Sequence, residues 1–213
     1  MGRIALSVVL GYVVGSIPTA YLFVRWKSRI DIRNAGSGNV GALNSFQVTR
    51  SWALGACVLI ADLLKGAGAA LLGGAVAEGS EVYAALAGVS AVAGHNFPVW
   101  LGFRGGRGLA AAAGAALVVC WLIVPAWLIL WAGAFVLLRS INPANAVASA
   151  LLMVAGAVVP SVAFDLPGCG AGSGTIRWFI IALMSVILLR HIEPVREFLT
   201  QKLHPDEDKA RTR

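Results

Sequence analysis

The chain has very little charge for its length. Of its 213 residues only 13% are Asp, Glu, Lys or Arg, whereas 58% are apolar and the mean hydropathy is +0.79. A water-soluble fold of this size needs charge to cover its surface, while a bundle in lipid turns Ala, Leu, Val and Ile outward. The scarcity excludes a soluble enzyme, a disordered tail and a secreted disulfide scaffold, and reads as an integral membrane protein. Cysteine is sparse too. Cys57, Cys120 and Cys169 form an odd set without metal-ligand spacing and read as packing residues. The three histidines, His95, His191 and His204, lie on separate segments, and carboxylates are too few for a two-metal centre, so no metal and no cofactor is expected. No long basic run is present, so the excess of 17 Lys+Arg over 10 Asp+Glu does not point to nucleic acid.

What the chain does have is apolar segments of about 20 residues, the length a bilayer demands. They fall near 4–24, 52–76, 83–101, 146–164 and 176–190, with a block at 108–138 that is long for one helix. Two short or tilted helices breaking near Trp121 to Pro125 fit that block. Charge decides the parity. With two helices there, fourteen of the seventeen basic residues share one face: Arg25, Lys27, Arg29, Arg33 and Arg50, then Arg104 and Arg107, then Arg139, then six in the C-terminal segment. With one helix the asymmetry collapses. The expected fold is therefore an all-α, seven-helix transmembrane bundle with some short helices, its N-terminus outside and its C-terminus cytoplasmic. Residues 1–203 read as a single membrane domain and 204–213 as a polar, disordered tail. The first span resembles a signal peptide in its Arg, apolar core and small residues, but Gly15-Ser16-Ile17-Pro18-Thr19-Ala20-Tyr21 reads instead as a helix break that lines something.

The chemistry-bearing residues gather in the basic-side loops. In Asp31 to Asn44, Gly36, Gly38 and Gly41 allow close backbone approach, while Ser37, Asn39 and Asn44 supply side-chain donors, as an anion site requires. Taken alone, the same residues also describe a flexible Gly/Asn turn. No Gly-Lys-Ser/Thr follows, so the segment is not a nucleotide-binding P-loop. The second cluster runs from Gly94-His95 to Arg107-Gly108. There Arg104 and Arg107 flank Gly105-Gly106 ahead of a helix beginning near Leu109, which combines fixed charge with the positive end of a helix dipole. Asp62 and Lys65 stand i, i+3 within a span and can pair, either as a structural ion pair or as a substrate contact.

Taken together, the Gly15–Tyr21 break, the Gly36-Ser37-Gly38-Asn39-x-Gly41-Ala42-x-Asn44 loop, Asp62-x-x-Lys65-Gly66 and the Gly94-His95-x-Phe97-Pro98 to Arg107-Gly108 stretch resemble the bacterial PlsY family along essentially the whole chain. The resemblance implies a seven-helix membrane acyltransferase of the bacterial inner membrane, its motifs facing the cytoplasm, that moves an acyl group from acyl phosphate to the 1-position of sn-glycerol 3-phosphate for phospholipid synthesis. Ser37, His95 and Arg107 would be catalytic. Gly36, Gly38, Asn39, Gly41, Asn44, Arg104, Gly105, Gly106 and His191 would hold the substrates. The partners implied are the two substrates and membrane lipids; a monomer is compatible with this, and the sequence leaves the oligomeric state open.

The sequence also departs from the family pattern. Leu43 stands where the family has Thr, Gln47 where it has Arg, and Ala111 where it has Thr; Arg104 and Arg107 replace lysines. After the last span the family's Lys-His-x-x-Asn-Ile-x-Arg-Leu becomes Arg190-His191-Ile192-Glu193-Pro194-Val195-Arg196-Glu197-Phe198. The donor half is thus better preserved than the acceptor half. A different acceptor, or non-catalytic binding of phosphate-containing lipids or anions, are the competing expectations.

Overall fold

The computed structural model describes residues 1–160, Cys169 and 172–203. These build ten α-helices: α1 (Gly2–Gly15), α2 (Thr19–Ser28), α3 (Ala42–Thr49), α4 (Trp52–Ala75), α5 (Glu81–Asn96), α6 (Leu109–Val119), α7 (Ile123–Leu138), α8 (Ile141–Val158), α9 (Ser173–Leu189) and α10 (Ile192–Leu203). Three stretches, Gly2–Ser28 through its break, Trp52–Ala75 and Ile141–Val158, are each long and apolar enough to cross a membrane, and α9 with α10 qualifies as a pair bent by 55°. α6 and α7 are apolar but shorter.

The break expected at Gly15–Tyr21 separates α1 from α2. Pro18 has no N–H to donate and caps α2, while Trp100 Nε1 donates to Ser16 Oγ at 2.9 Å and Tyr12 donates its hydroxyl to the Phe97 carbonyl at 2.8 Å. Both bonds pin the break against the end of α5. The block 108–138 divides into two helices, with the break at Cys120–Leu122 and Pro125 in the first turn of α7, where proline is tolerated. The span expected at 146–164 begins earlier, at Ile141; its last residues and the tail 204–213 lie outside the described residues.

Small residues let the central helices touch. Gly11 and Gly15 on α1 lie against Ala87 and Ala91 on α5, and Gly66 on α4 lies against the backbone of Ala111 on α6. A β-carbon at any of these positions would collide with a neighbouring main chain. Such contact substitutes for hydrophobic driving force, which lipid does not provide between helices. One expectation is corrected: Cys120 and Cys169 form a disulfide, so only Cys57 remains free, exposed on α4. The two sulfurs lie 49 residues apart, and nothing in their local sequence marks them as partners.

Candidate active site

The Gly-rich loop is organised by one buried side chain. Asn44, on the first turn of α3, is 1% exposed; its Nδ2 donates to the carbonyls of Ala35 (3.0 Å) and Asn39 (2.9 Å), and its Oδ1 accepts the Ser37 N–H at 3.0 Å. Gly36, at φ +59°, must approach that Oδ1 closely, and a β-carbon there would strike it. Other loop N–H groups also find protein partners: Gly38 donates to Ala35 O, Gly41 to Asn39 O and Val40 to Gly105 O. The loop therefore keeps most of its backbone donors for itself. Among the described bonds, the Gly36 and Asn39 N–H groups and the side chains of Ser37 and Asn39 stay uncommitted. Asp31 and Arg33 brace the loop entrance with a 2.7 Å ion pair, and the Arg33 guanidinium holds the Asp31 carboxyl at about 2.

The second cluster wraps around His95. The Gly106 N–H donates to the His95 carbonyl at 3.1 Å, and a side chain on Gly106 would run into His95 Nε2 and the Val40 carbonyl. From the far end of α9, Arg190 donates to the carbonyls of Gly105 (3.0 Å) and Gly106 (3.1 Å). Gly105 and Gly106 thus form a turn gripped by Arg190 and His95. Gly108, at φ +80°, starts α6 against the side chains of Asn96 and Val92.

Beneath this turn is an ionic hub that the sequence only half disclosed. Asp62 Oδ1 on α4 accepts from Thr19 Oγ1 at 2.5 Å, pairs with Lys65 Nζ at 2.8 Å and lies 3.4 Å from His95 Nδ1. Lys65 Nζ also donates to the Ile17 carbonyl in the α1–α2 break at 2.9 Å. Every charge is buried and every charge has a partner, as a low-dielectric interior requires. The spacing of Asp62 and Lys65 was readable, but that Asp62 faces His95 across two helices was not.

A cavity of about 320 Å³ opens beside the hub, lined by Asn39, Gly41, Asp62, His95, Arg107 and, from α7 and α8, Trp131, Asn142 and Asn145. Arg107 donates from Nη1 to Asn142 Oδ1 at 2.7 Å; burial and the nearby Arg190 lower its pKa, although a guanidinium stays charged at neutral pH. An apolar pocket of about 100 Å³ adjoins the cavity through Leu109, Trp127 and Leu128.

The structure thus brings Asn39, Gly41, His95 and Arg107 to one cavity, while Gly36, Gly38, Asn44, Gly105 and Gly106 do not line it and instead hold the loop and the turn that carry Asn39 and Arg107. Ser37 sits exposed at the loop's edge, and Arg104 is exposed, reaching the Arg33 carbonyl at 3.4 Å. His191 is not brought in. It is 1% exposed, its Nδ1 lies 2.9 Å from the Ile187 carbonyl, and it lines a groove between α8, α9 and α10. Asn142, Asn145 and Trp131 were missed because they sit in or beside apolar runs without a motif.

The sequence profile described as glycerol-3-phosphate acyltransferase matches residues 5–201. Glycerol-3-phosphate acyltransferase 2 of Moorella thermoacetica is 42% identical over 146 residues, 68% of this chain and 74% of that protein. The glycerol-3-phosphate acyltransferase of Gluconobacter oxydans is 45% identical over 151 residues, 70% and 71% of the two chains. The crystal structure of PlsY, an integral membrane glycerol 3-phosphate acyltransferase, in its glycerol 3-phosphate form superposes with a TM-score of 0.74 at 28% identity, covering 92% of each chain. With a family profile spanning nearly its whole length and an integral-membrane structure of the same shape, the chain belongs to the glycerol-3-phosphate acyltransferase family.

Proposed function

We propose that the protein is a membrane acyltransferase that moves an acyl group from acyl phosphate to the 1-hydroxyl of sn-glycerol 3-phosphate, giving lysophosphatidate and inorganic phosphate. The observation that carries this reading is the cavity itself, where His95, Arg107 and Asn39 converge beside an apolar pocket. Acyl phosphate is a mixed anhydride already activated for attack. The protein needs no nucleophile of its own and works by positioning and charge stabilisation.

In the proposed step the Asp62 carboxylate accepts a hydrogen bond from His95 Nδ1–H, which keeps Nε2 unprotonated and able to take the proton of the attacking hydroxyl. Arg107 neutralises the phosphate that departs. Ser37 Oγ and the Asn39 amide, the loop's uncommitted side-chain donors, hold the donor phosphate, and Arg104 at the exposed rim draws anions toward the opening. The acyl chain enters the pocket between Leu109, Trp127 and Leu128.

The orientation belongs to the same proposal: seven crossings formed by α1 with α2, then α4, α5, α6, α7, α8 and α9, as one domain in the bacterial inner membrane, its site facing the cytoplasm. One-sided basic residues support that placement. So does the Cys120–Cys169 bridge, which closes the end of α6 remote from Arg107, since disulfides persist in oxidising compartments outside the cytoplasm.

Purified, detergent-solubilised protein given acyl phosphate and glycerol 3-phosphate is expected to release lysophosphatidate and inorganic phosphate. Folded protein with only background turnover would overturn the reading. A changed acceptor is the second reading, favoured by Leu43 at the cavity wall and by Gln47 and Glu197, both exposed where the family pattern has arginines. Turnover with another phosphorylated alcohol, and none with glycerol 3-phosphate, would select it.

A further inference from the structure

The α7–α8 face of the cavity carries polar atoms that neither the loop motifs nor the Asp62–His95 pair explains. Asn145 on α8 is 5% exposed, lines the cavity, and its amide makes no hydrogen bond among the described residues. Trp131 on α7 lines the same cavity with its ring, and its indole N–H, enclosed in the wall, has no acceptor among the described residues either.

Helix register relates the two. α7 and α8 are joined by Arg139 and Ser140 alone and run back along each other, with Trp127 Nε1 donating to Ser149 Oγ at 3.0 Å. One turn further along α7 and one turn back along α8 sets Trp131 opposite Asn145. At the first rung the indole meets its acceptor. At the second rung both side chains line the cavity, and neither donor, the indole N–H set in its wall or the Asn145 amide, meets an acceptor among the described residues.

Buried donors are rarely left without partners, and an enclosed Trp normally finds one for its N–H. The chemistry of the pair restricts what that partner is. An indole only donates, and the Asn Nδ2 donates beside it, so together they suit an oxygen that only accepts. The pair stands between the two ends of the cavity, one turn from Trp127, which also lines the apolar pocket, and one turn from Asn142, which holds Arg107, where the head of a hydrocarbon chain would meet a bound phosphate.

We propose that Trp131 Nε1 and Asn145 Nδ2 hold the carbonyl oxygen of the acyl donor and stabilise the charge that gathers on it during transfer. This rests on the acyltransferase reading above. As the acceptor hydroxyl oxygen bonds to the carbonyl carbon, the C=O π pair moves onto the oxygen held by the two donors, and the hydroxyl proton passes to His95. The pair then re-forms the carbonyl as the carbon–oxygen bond to phosphate breaks and inorganic phosphate leaves.

The test uses the full-length protein in detergent. Trp131→Phe keeps an aromatic ring between Trp127 and Phe135 while removing the N–H along with part of the indole, so the alkyl phosphate control below separates the lost donor from the lost volume. Asn145→Ala removes the amide. Each is expected to lower kcat at least tenfold with KM for glycerol 3-phosphate within about twofold, and the double variant to lose less than the product of the two. Binding separates the carbonyl from the rest of the donor: an acyl phosphonate should bind each variant several-fold more weakly, while an alkyl phosphate of equal chain length, which lacks the carbonyl, should bind as in wild type. Wild-type kcat in both single variants, or equal weakening of the two ligands, overturns the proposal. If the wild type itself shows no turnover, the acyltransferase reading fails first and the two binding measurements alone decide the role of the pair.

Discussion

Asn44 and Asn145 are both buried asparagines beside the same cavity, yet the two regions use them in opposite ways. Asn44 spends its amide on Ala35, Ser37 and Asn39 and has nothing left for a ligand. Asn145 spends nothing on the described protein and faces open space. The Gly-rich loop is thus a rigid edge whose donors are mostly turned inward, and the helical wall is where free hydrogen-bonding capacity waits. A motif dense in Gly, Ser and Asn marks where the chain is shaped; ligand chemistry begins only where that shaping leaves atoms unpaired.

The largest effect is expected from Asn44→Ala. Removing the amide leaves two carbonyls and the Ser37 N–H without their partner, and each such group costs about 1–3 kcal/mol when buried. Activity is expected to vanish together with a clear fall in thermal stability, measured by denaturation in detergent. An active variant of normal stability would show that the loop does not depend on its clamp.

His95→Ala tests the hub without dismantling the loop. General base catalysis contributes about 10²–10⁴-fold, so kcat should fall by roughly two orders of magnitude while KM for glycerol 3-phosphate changes little. Asp62→Asn should reproduce part of that loss, because an amide in place of the carboxylate no longer favours the Nδ1-protonated ring. Equal rates in wild type and His95→Ala would move the proton transfer to the substrate's own phosphate. Ser37→Ala should then be milder, about a tenfold loss that falls mainly on KM for acyl phosphate, since it removes one uncommitted hydroxyl and no structural bond.

These contrasts also explain what the sequence disclosed. The Pro18 break, the division of 108–138 into α6 and α7, and the two Gly-rich segments were legible because Pro, Gly and runs of apolar residues act locally on the backbone. Which donors remain free was not legible, because saturation of the Ser37 or Gly106 N–H depends on Asn44 and on the His95 carbonyl, groups brought in by folding. Trp131 looked like any aromatic in an apolar helix until the Trp127–Ser149 bond fixed its register against Asn145. Cys120 and Cys169 gave no local sign of each other.

The smallest effect should come from the exposed brace of the loop. Asp31 accepts from the Arg33 main-chain N–H and its guanidinium, and these bonds lower its pKa from 3.8 to about 2 in the folded protein. For a group whose folded pKa is depressed, the stabilisation is complete above the unfolded value and disappears as pH falls through the folded one. The pair is partly solvated, so its contribution is modest and salt-sensitive. Hydrogen exchange of the Arg33 amide, corrected for its intrinsic rate, should show constant protection down to about pH 4 and declining protection toward about pH 2. Asp31→Asn should leave that amide equally weakly protected across the range, with turnover at neutral pH reduced less than twofold. Loss of turnover comparable to that of Asn44→Ala would mean that the outer brace, and not the buried amide, holds the loop in shape.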